Sequence, residues 1–265
     1  MTVPVDNGHL RYREAGAGPP VVLLHGGGLD HRSWDDQVGP LSADHRVITP
    51  DARGHGGSST PSAPYRHCDD VAALLRALDT GPVTLVGLSM GGTIAVDTAL
   101  EHPELVGALV VSGSGTSEPE FTDPWMLALF DELDAAEQAK DLAAWLAAFL
   151  RLASGPHRRL DDVDPEVVRR LRTMATDTVS THDTDDFVRP TPVTDTWARA
   201  AGIAVPLLAI DGSLDADDHL RNSRRLVDTV PDGRAASVDG TAHYPSMERP
   251  AEFTAILRDF LGEVT

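Results

Sequence analysis

The 265-residue chain has one cysteine, Cys68, and one lysine, Lys140, among its 22 basic residues, and only 5% of its residues are aromatic. A lone cysteine cannot close an internal disulfide, so a reducing cytoplasm is the expected setting. Long hydrophobic runs are missing too. One of the most apolar helical stretches, residues 142–150, falls well short of the roughly 20 residues a bilayer span needs. The N-terminus has neither the basic nor the apolar region of a secretion signal, so no membrane association is expected. Positive charge is scarce: 22 Lys and Arg against 41 Asp and Glu leave a formal net charge of −19. Such a field repels phosphate backbones and anionic lipid, and no basic cluster interrupts it, so nucleic acid is not an expected partner.

What remains is an ordinary globular composition, 41% hydrophobic and 24% charged, at a length that suits one core with an insertion. Short apolar segments at 21–24, 46–49, 83–86, 108–111 and 207–210, with a weaker one at 234–238, read as strands, and none contains proline. Helical patterns at 33–41, 67–78, 91–101, 218–230 and 250–261 lie between or after them. The alternation predicts an α/β fold with a mostly parallel sheet flanked by helices on both faces. Ahead of it, residues 2–5 and 9–14 flank Asp6-Asn7-Gly8, a hairpin signal for two antiparallel edge strands.

One stretch breaks the rhythm. From 116 to 201 there is helical periodicity without a convincing strand, including an Ala- and Leu-rich run at 130–152. A further helix is opened by Asp164 as N-cap, with Pro165 and Glu166 behind it. The expected organisation is a core of residues 1–115 and 202–265 with a helical cap, 116–201, inserted after the sixth strand. A cap there overhangs the carboxyl ends of the strands, where α/β proteins bind ligands.

The strongest chemical signal is Gly87-Leu88-Ser89-Met90-Gly91, a G-x-S-x-G directly after a strand and directly before a helix. Glycines at both ends let the backbone turn sharply and push the Ser89 hydroxyl outward, while the helix N-terminus favours negative charge developing beside it. A hydroxyl needs a base to take its proton and a carboxylate to hold that base. His243, in the loop after the last strand, is the expected base, and Asp215, in the turn after 207–210, the expected acid. The order serine, aspartate, histidine fits. Asp211, at the strand end, is the rival acid, set aside because Gly212 turns a later residue inward. His219 reads as part of a solvated, charged helix start, and His25, His55 and His102 as structural. The Met90 N–H and that of Gly27, with Gly28 in reserve, are the expected oxyanion hole, which gives His25-Gly26-Gly27-Gly28 a reason for its glycines.

On these segments, together with Asp51-Ala52-Arg53-Gly54-His55-Gly56-Gly57-Ser58, the chain resembles the α/β-hydrolase superfamily along nearly its whole length. The resemblance implies an eight-stranded sheet, a helical cap and a cofactor-free serine mechanism. Serine at position 89 departs from the aspartate of epoxide hydrolases and haloalkane dehalogenases, and Gly28 replaces the proline that proline iminopeptidases carry. What remains looks like the capped serine group of 3-oxoadipate enol-lactonases, small-ester carboxylesterases and carbon–carbon bond hydrolases. The expected activity is hydrolysis of a small ester, thioester or lactone through an acyl-enzyme on Ser89. The rivals are carbon–carbon bond cleavage and a receptor that keeps the triad without turnover. A small acyl compound is the expected partner. No H-E-x-x-H or Cys/His spacing suits a metal, and Gly16-Ala17-Gly18 precedes a strand, so neither metal nor dinucleotide is expected.

Overall fold

A computed structural model describes residues 1–182 and 188–264. Eight strands form one sheet: β1 (Thr2–Val5), β2 (Gly8–Ala15), β3 (Pro20–Leu24), β4 (Arg46–Pro50), β5 (Val83–Leu88), β6 (Val106–Ser112), β7 (Leu207–Gly212) and β8 (Gly233–Val238). Their order across the sheet is β1-β2-β4-β3-β5-β6-β7-β8. From β4 to β8 every pairing is parallel, while β1 with β2 and β2 with β4 are antiparallel. Thus the sheet is mixed at one edge, as the hairpin signal implied, and Asn7 at the hairpin adopts φ 58°.

The period-two alternation of each strand feeds two cores. Val21 and Leu23 face one side, with Trp34, Leu41 of α1 (Asp35–Leu41), and Phe253 and Leu257. Val22 and Leu24 face the other, against Val71 and Leu74 of α2 (His67–Ala77) and Ile94 and Val96 of α3 (Met90–Glu101). Burial on both faces is why the central strands read as unbroken apolar runs rather than alternating ones.

Between β6 and β7 the described residues form helices and no strand: α4 (Pro124–Gln138), α5 (Leu142–Ser154), α6 (Pro165–His182) and the short α7 (Thr196–Ala200). Residues 183–187 of this stretch, and residue 265, lie outside the described residues. The Ala- and Leu-rich run at 130–152 spans two helices, α4 and α5. Lys140 takes a left-handed φ of 52°, and the Asp141 carboxylate caps the next helix by accepting from the Ala144 N–H at 3.0 Å. Asp164 caps α6 in the same way, accepting from the Glu166 N–H at 2.8 Å. The segment leaves and rejoins the sheet at one place. The Glu118 carboxylate accepts from the Thr196 N–H at 2.7 Å, and the Trp197 indole N–H donates to the Glu118 carbonyl at 2.7 Å.

The chain then closes with α8 (Asp217–Thr229), α9 (Pro245–Glu248) and α10 (Pro250–Val264). Phe253 of α10 is fully buried, with its ring 6.0 Å from that of Trp34. Phe253→Ala is expected to lower unfolding free energy by about 3–5 kcal/mol, through lost burial and the cavity left behind. Urea titration checks it, and a loss below about 1 kcal/mol would contradict this packing.

Candidate active site

Ser89 stands between β5 and α3 with φ 52° and ψ −116°, a backbone conformation that L residues rarely adopt. Two close approaches hold it there. A Cβ on Gly87 would lie 2.1 Å from the Gly91 carbonyl oxygen, and one on Gly91 would lie 2.1 Å from that of Leu24. No side chain larger than hydrogen fits at either point, so α3 can start flush against β5 and β3. The Ser89 N–H donates to the Ser112 carbonyl at 2.8 Å, tying the corner to the end of β6. Ser89 itself is half-buried.

His243, in the loop between β8 and α9, is buried, and its Nδ1 meets Asp215 Oδ2 at 2.8 Å. Gly113, the residue after Ser112, makes room for this pair: a Cβ there would lie 2.7 Å from the His243 ring and 3.0 Å from Asp215 Oδ2. The corner at Ser89 and the Asp215–His243 pair thus both lie at the carboxyl end of the sheet, contacting the consecutive residues Ser112 and Gly113. Among the described residues no hydrogen bond joins the Ser89 hydroxyl to the His243 ring, a contact that in many catalytic sites tightens only around substrate.

Two aspartates compete for His243 in sequence, and only Asp215 touches it. Asp211 accepts from the Gly113 N–H at 2.7 Å and the Ser223 hydroxyl at 2.5 Å instead. Their pKa values shift in opposite directions. Burial works against the Asp215 carboxylate, but the neighbouring His243 and His219 outweigh it and hold its pKa well below the usual range. Burial dominates at Asp211 and pushes it up to about 6, against the pull of Ser223 and Gly113. Burial also lowers the pKa of His243, against the attraction of Asp215. A neutral imidazole with Nδ1 turned to a carboxylate has Nε2 free to accept a proton.

Met90 opens α3, so its N–H is one of those without an intrahelical partner. Gly27 lies beside it: a Cβ there would be 3.8 Å from the Met90 Cβ. The Gly28 N–H instead faces His55 Nε2 at 3.4 Å. A Cβ on Gly28 would lie 3.0 Å from the Phe149 ring and 3.5 Å from that of Trp145, so α5 covers the glycine loop. Trp145 and Phe149 stack at 5.1 Å, and Phe149 lies 6.5 Å from Tyr244, whose ring is edge-on to His243 at 5.2 Å. Trp145 of α5 thus reaches this loop, while other cap aromatics lie elsewhere. Trp125 lies under the Arg151 guanidinium, and Phe130 packs on Phe121.

The acidic start of α8 is not the solvated surface expected of it. Asp218 is fully buried and accepts from the Thr122 and Asp123 N–H groups at 2.8 Å each, anchoring the chain ahead of α4. His219 is 8% exposed, bonded to Asp215 Oδ1 at 3.0 Å and stacked on His243 at 4.2 Å. The four-residue spacing from Asp215 was the available signal for it. Phe149 and Tyr244 carried none. His25 does have the structural role expected: its Nδ1 meets the Gly26 carbonyl at 2.8 Å, and its Nε2 accepts from the Ala52 N–H at 2.9 Å.

Among the described residues, two buried groups bring ligand-type atoms within 4.8 Å of one another, Asp215–His219–His243 and Asp30–His31–Asp51. In both an imidazole Nδ1 is already hydrogen-bonded to a carboxylate, at 2.8 and 3.0 Å in the first and 2.6 Å in the second, so we read them as hydrogen-bonded clusters.

The family described as the alpha/beta hydrolase fold matches residues 19–250, and the chain belongs to it. It is 31% identical to the pimeloyl-[acyl-carrier protein] methyl ester esterase of Aromatoleum aromaticum, over 91% of this chain and 97% of that protein. It is 30% identical to the 2-hydroxymuconate semialdehyde hydrolase of Pseudomonas sp. strain CF600, over 94% of this chain and 89% of that protein. The solved enol-lactonase of Burkholderia xenovorans LB400 superimposes with a TM-score of 0.81 at 25% identity, covering 99% of this chain and all of that one. The protein is thus a hydrolase of this superfamily, and among the described residues no helix is long and apolar enough to cross a membrane.

A carboxyl with a raised native pKa adds stability that is complete below its unfolded value, near 4, and lost as pH rises through the native one. For Asp211 that window runs from about pH 4 to about 6. Asp211→Asn, which cannot ionise, is therefore expected to gain on wild type by on the order of 1 kcal/mol between pH 5 and pH 8. Urea midpoints at both values test this, and a pH-independent difference contradicts it.

Proposed function

We propose that the protein hydrolyses a small carboxylic ester, thioester or lactone through an acyl-enzyme on Ser89. The observation that carries this reading is the Asp215–His243 hydrogen bond of 2.8 Å at the strand end beside the Ser89 corner. Ser89 Oγ attacks the carbonyl carbon while its proton passes to His243 Nε2, and Asp215 holds Nδ1–H and stabilises the imidazolium. The oxyanion accepts from the Met90 and Gly27 N–H groups, one such donor being worth about 3–4 kcal/mol in the transition state. His243 returns the proton to the leaving oxygen, or sulfur in a thioester, and water repeats the sequence on the acyl group.

Residues 116–201 act as the cap and, with Phe149 and Trp145 over the glycine loop, bound a small acyl pocket. A net charge of −19 disfavours polyanionic substrates. Cys68 is free and buried, which supports work in a reducing compartment such as the cytoplasm.

A second reading is carbon–carbon bond hydrolysis of a vinylogous diketone, favoured by the 2-hydroxymuconate semialdehyde hydrolase among the relatives. Loss of colour from a ring-fission dienoate separates it from ester cleavage. For the first reading, wild type turns over p-nitrophenyl acetate or butyrate, and Ser89→Ala loses roughly three orders of magnitude or more in kcat. Equal rates in the two proteins would remove Ser89 from the reaction.

A further inference from the structure

One carboxylate here serves two imidazoles. Asp215 Oδ2 meets His243 Nδ1 at 2.8 Å, and Oδ1 meets His219 Nδ1 at 3.0 Å while also accepting from the Ala216 N–H at 2.7 Å. The two rings lie nearly parallel, with centroids 4.2 Å apart and an interplanar angle of 23°. His219 belongs to the first turn of α8, whereas His243 arrives on the loop after β8, so two separate elements deliver the imidazoles to one carboxylate. The reaction proposed above uses only His243.

Among the described residues, the charged and titratable groups facing His219 are Asp215 beside it, Asp211 from β7 and Asp218 from its own helix, with the His243 ring from the loop after β8 stacked on it. From the segment ahead of α4, the Phe121 ring lies edge-on to His219 at 6.1 Å. A single negative charge cannot neutralise two imidazolium ions this close, so their protonations are coupled. Burial disfavours the cation at both rings. At His219 the surrounding carboxylates outweigh burial and raise its pKa, while His243 is lowered, with His219 among the causes.

We propose that His219 is a positioning residue acting through Asp215. It occupies the second carboxylate oxygen and braces the His243 ring, and its own charge governs how readily His243 takes the Ser89 proton. This rests on the hydrolase reading above. A proton on His219 weakens the pull of Asp215 on His243 and sets a like charge against the imidazolium that must form.

The wild-type kcat/KM profile is expected to fall on the acid side in two steps. His219→Asn keeps an N–H donor for Asp215 but cannot titrate. It retains kcat within about tenfold at neutral pH and shows one acid step, placed above the lower wild-type step. His219→Leu removes the donor and lowers kcat by roughly tenfold to a hundredfold with KM little changed. Profiles of identical shape, displaced only in height, would overturn the proposal. Nitrogen-15 NMR of the imidazoles reads the same coupling without turnover. In wild type the His243 signal should titrate in two coupled steps, collapsing to one at higher pH in His219→Asn. Independent titration of the two rings in wild type, or an unmoved His243 in the variant, would overturn it whether or not the esters are substrates. Absence of turnover with the coupling intact would instead count against the hydrolase reading alone.

Discussion

Ser89 sits at φ 52° between the last residue of β5 and the first of α3, in a conformation that costs on the order of 1–3 kcal/mol for a non-glycine residue. The surrounding structure over-determines it. β5 is buried along its length, and α3 packs on it at a distance only glycine at 87 and 91 permits. The Ser89 N–H is anchored to β6. Were the corner to relax, the hydroxyl would turn away from the strand ends, and the proposed reaction at Ser89 would lose its nucleophile. The parallel sheet matters because it delivers four loops, those after β3, β5, β7 and β8, to one rim.

Electrostatics at that rim follow from which buried groups find partners. Asp211 and Asp215 leave the same strand. One faces a hydroxyl and an amide and takes up a proton as pH falls through its pKa of about 6, while the other faces two imidazoles and stays ionised well below that. Environment, not residue type, separates their roles. A buried ionised carboxylate is tolerable because three donors, from His243, His219 and Ala216, replace its lost hydration.

Much of this was legible in the sequence. The apolar segments marked strands to within a residue or two, because burial on both sheet faces leaves unbroken hydrophobic runs. Gly87 and Gly91 around Ser89 announced the corner, since only close backbone approach demands glycine at both places. Asp215 and His243, chosen for their positions after strands, are hydrogen-bonded to one another. The misreadings share one cause. Asp218 and His219 carry solvated-surface chemistry, and only tertiary contacts, with Thr122, Asp123 and His243, show that they are buried. The approach of Phe149 to Gly28 depends on how a distant helix docks, which no local pattern encodes.

Intact-protein mass spectrometry after exposure to a fluorophosphonate bears on the central claim, that corner geometry and the Asp215–His243 pair make Ser89 a nucleophile. One adduct per chain, mapped by peptide analysis to Ser89 and formed far more slowly in His243→Ala, is the predicted result. Labelling elsewhere, or a rate at Ser89 indifferent to loss of the imidazole, would contradict it.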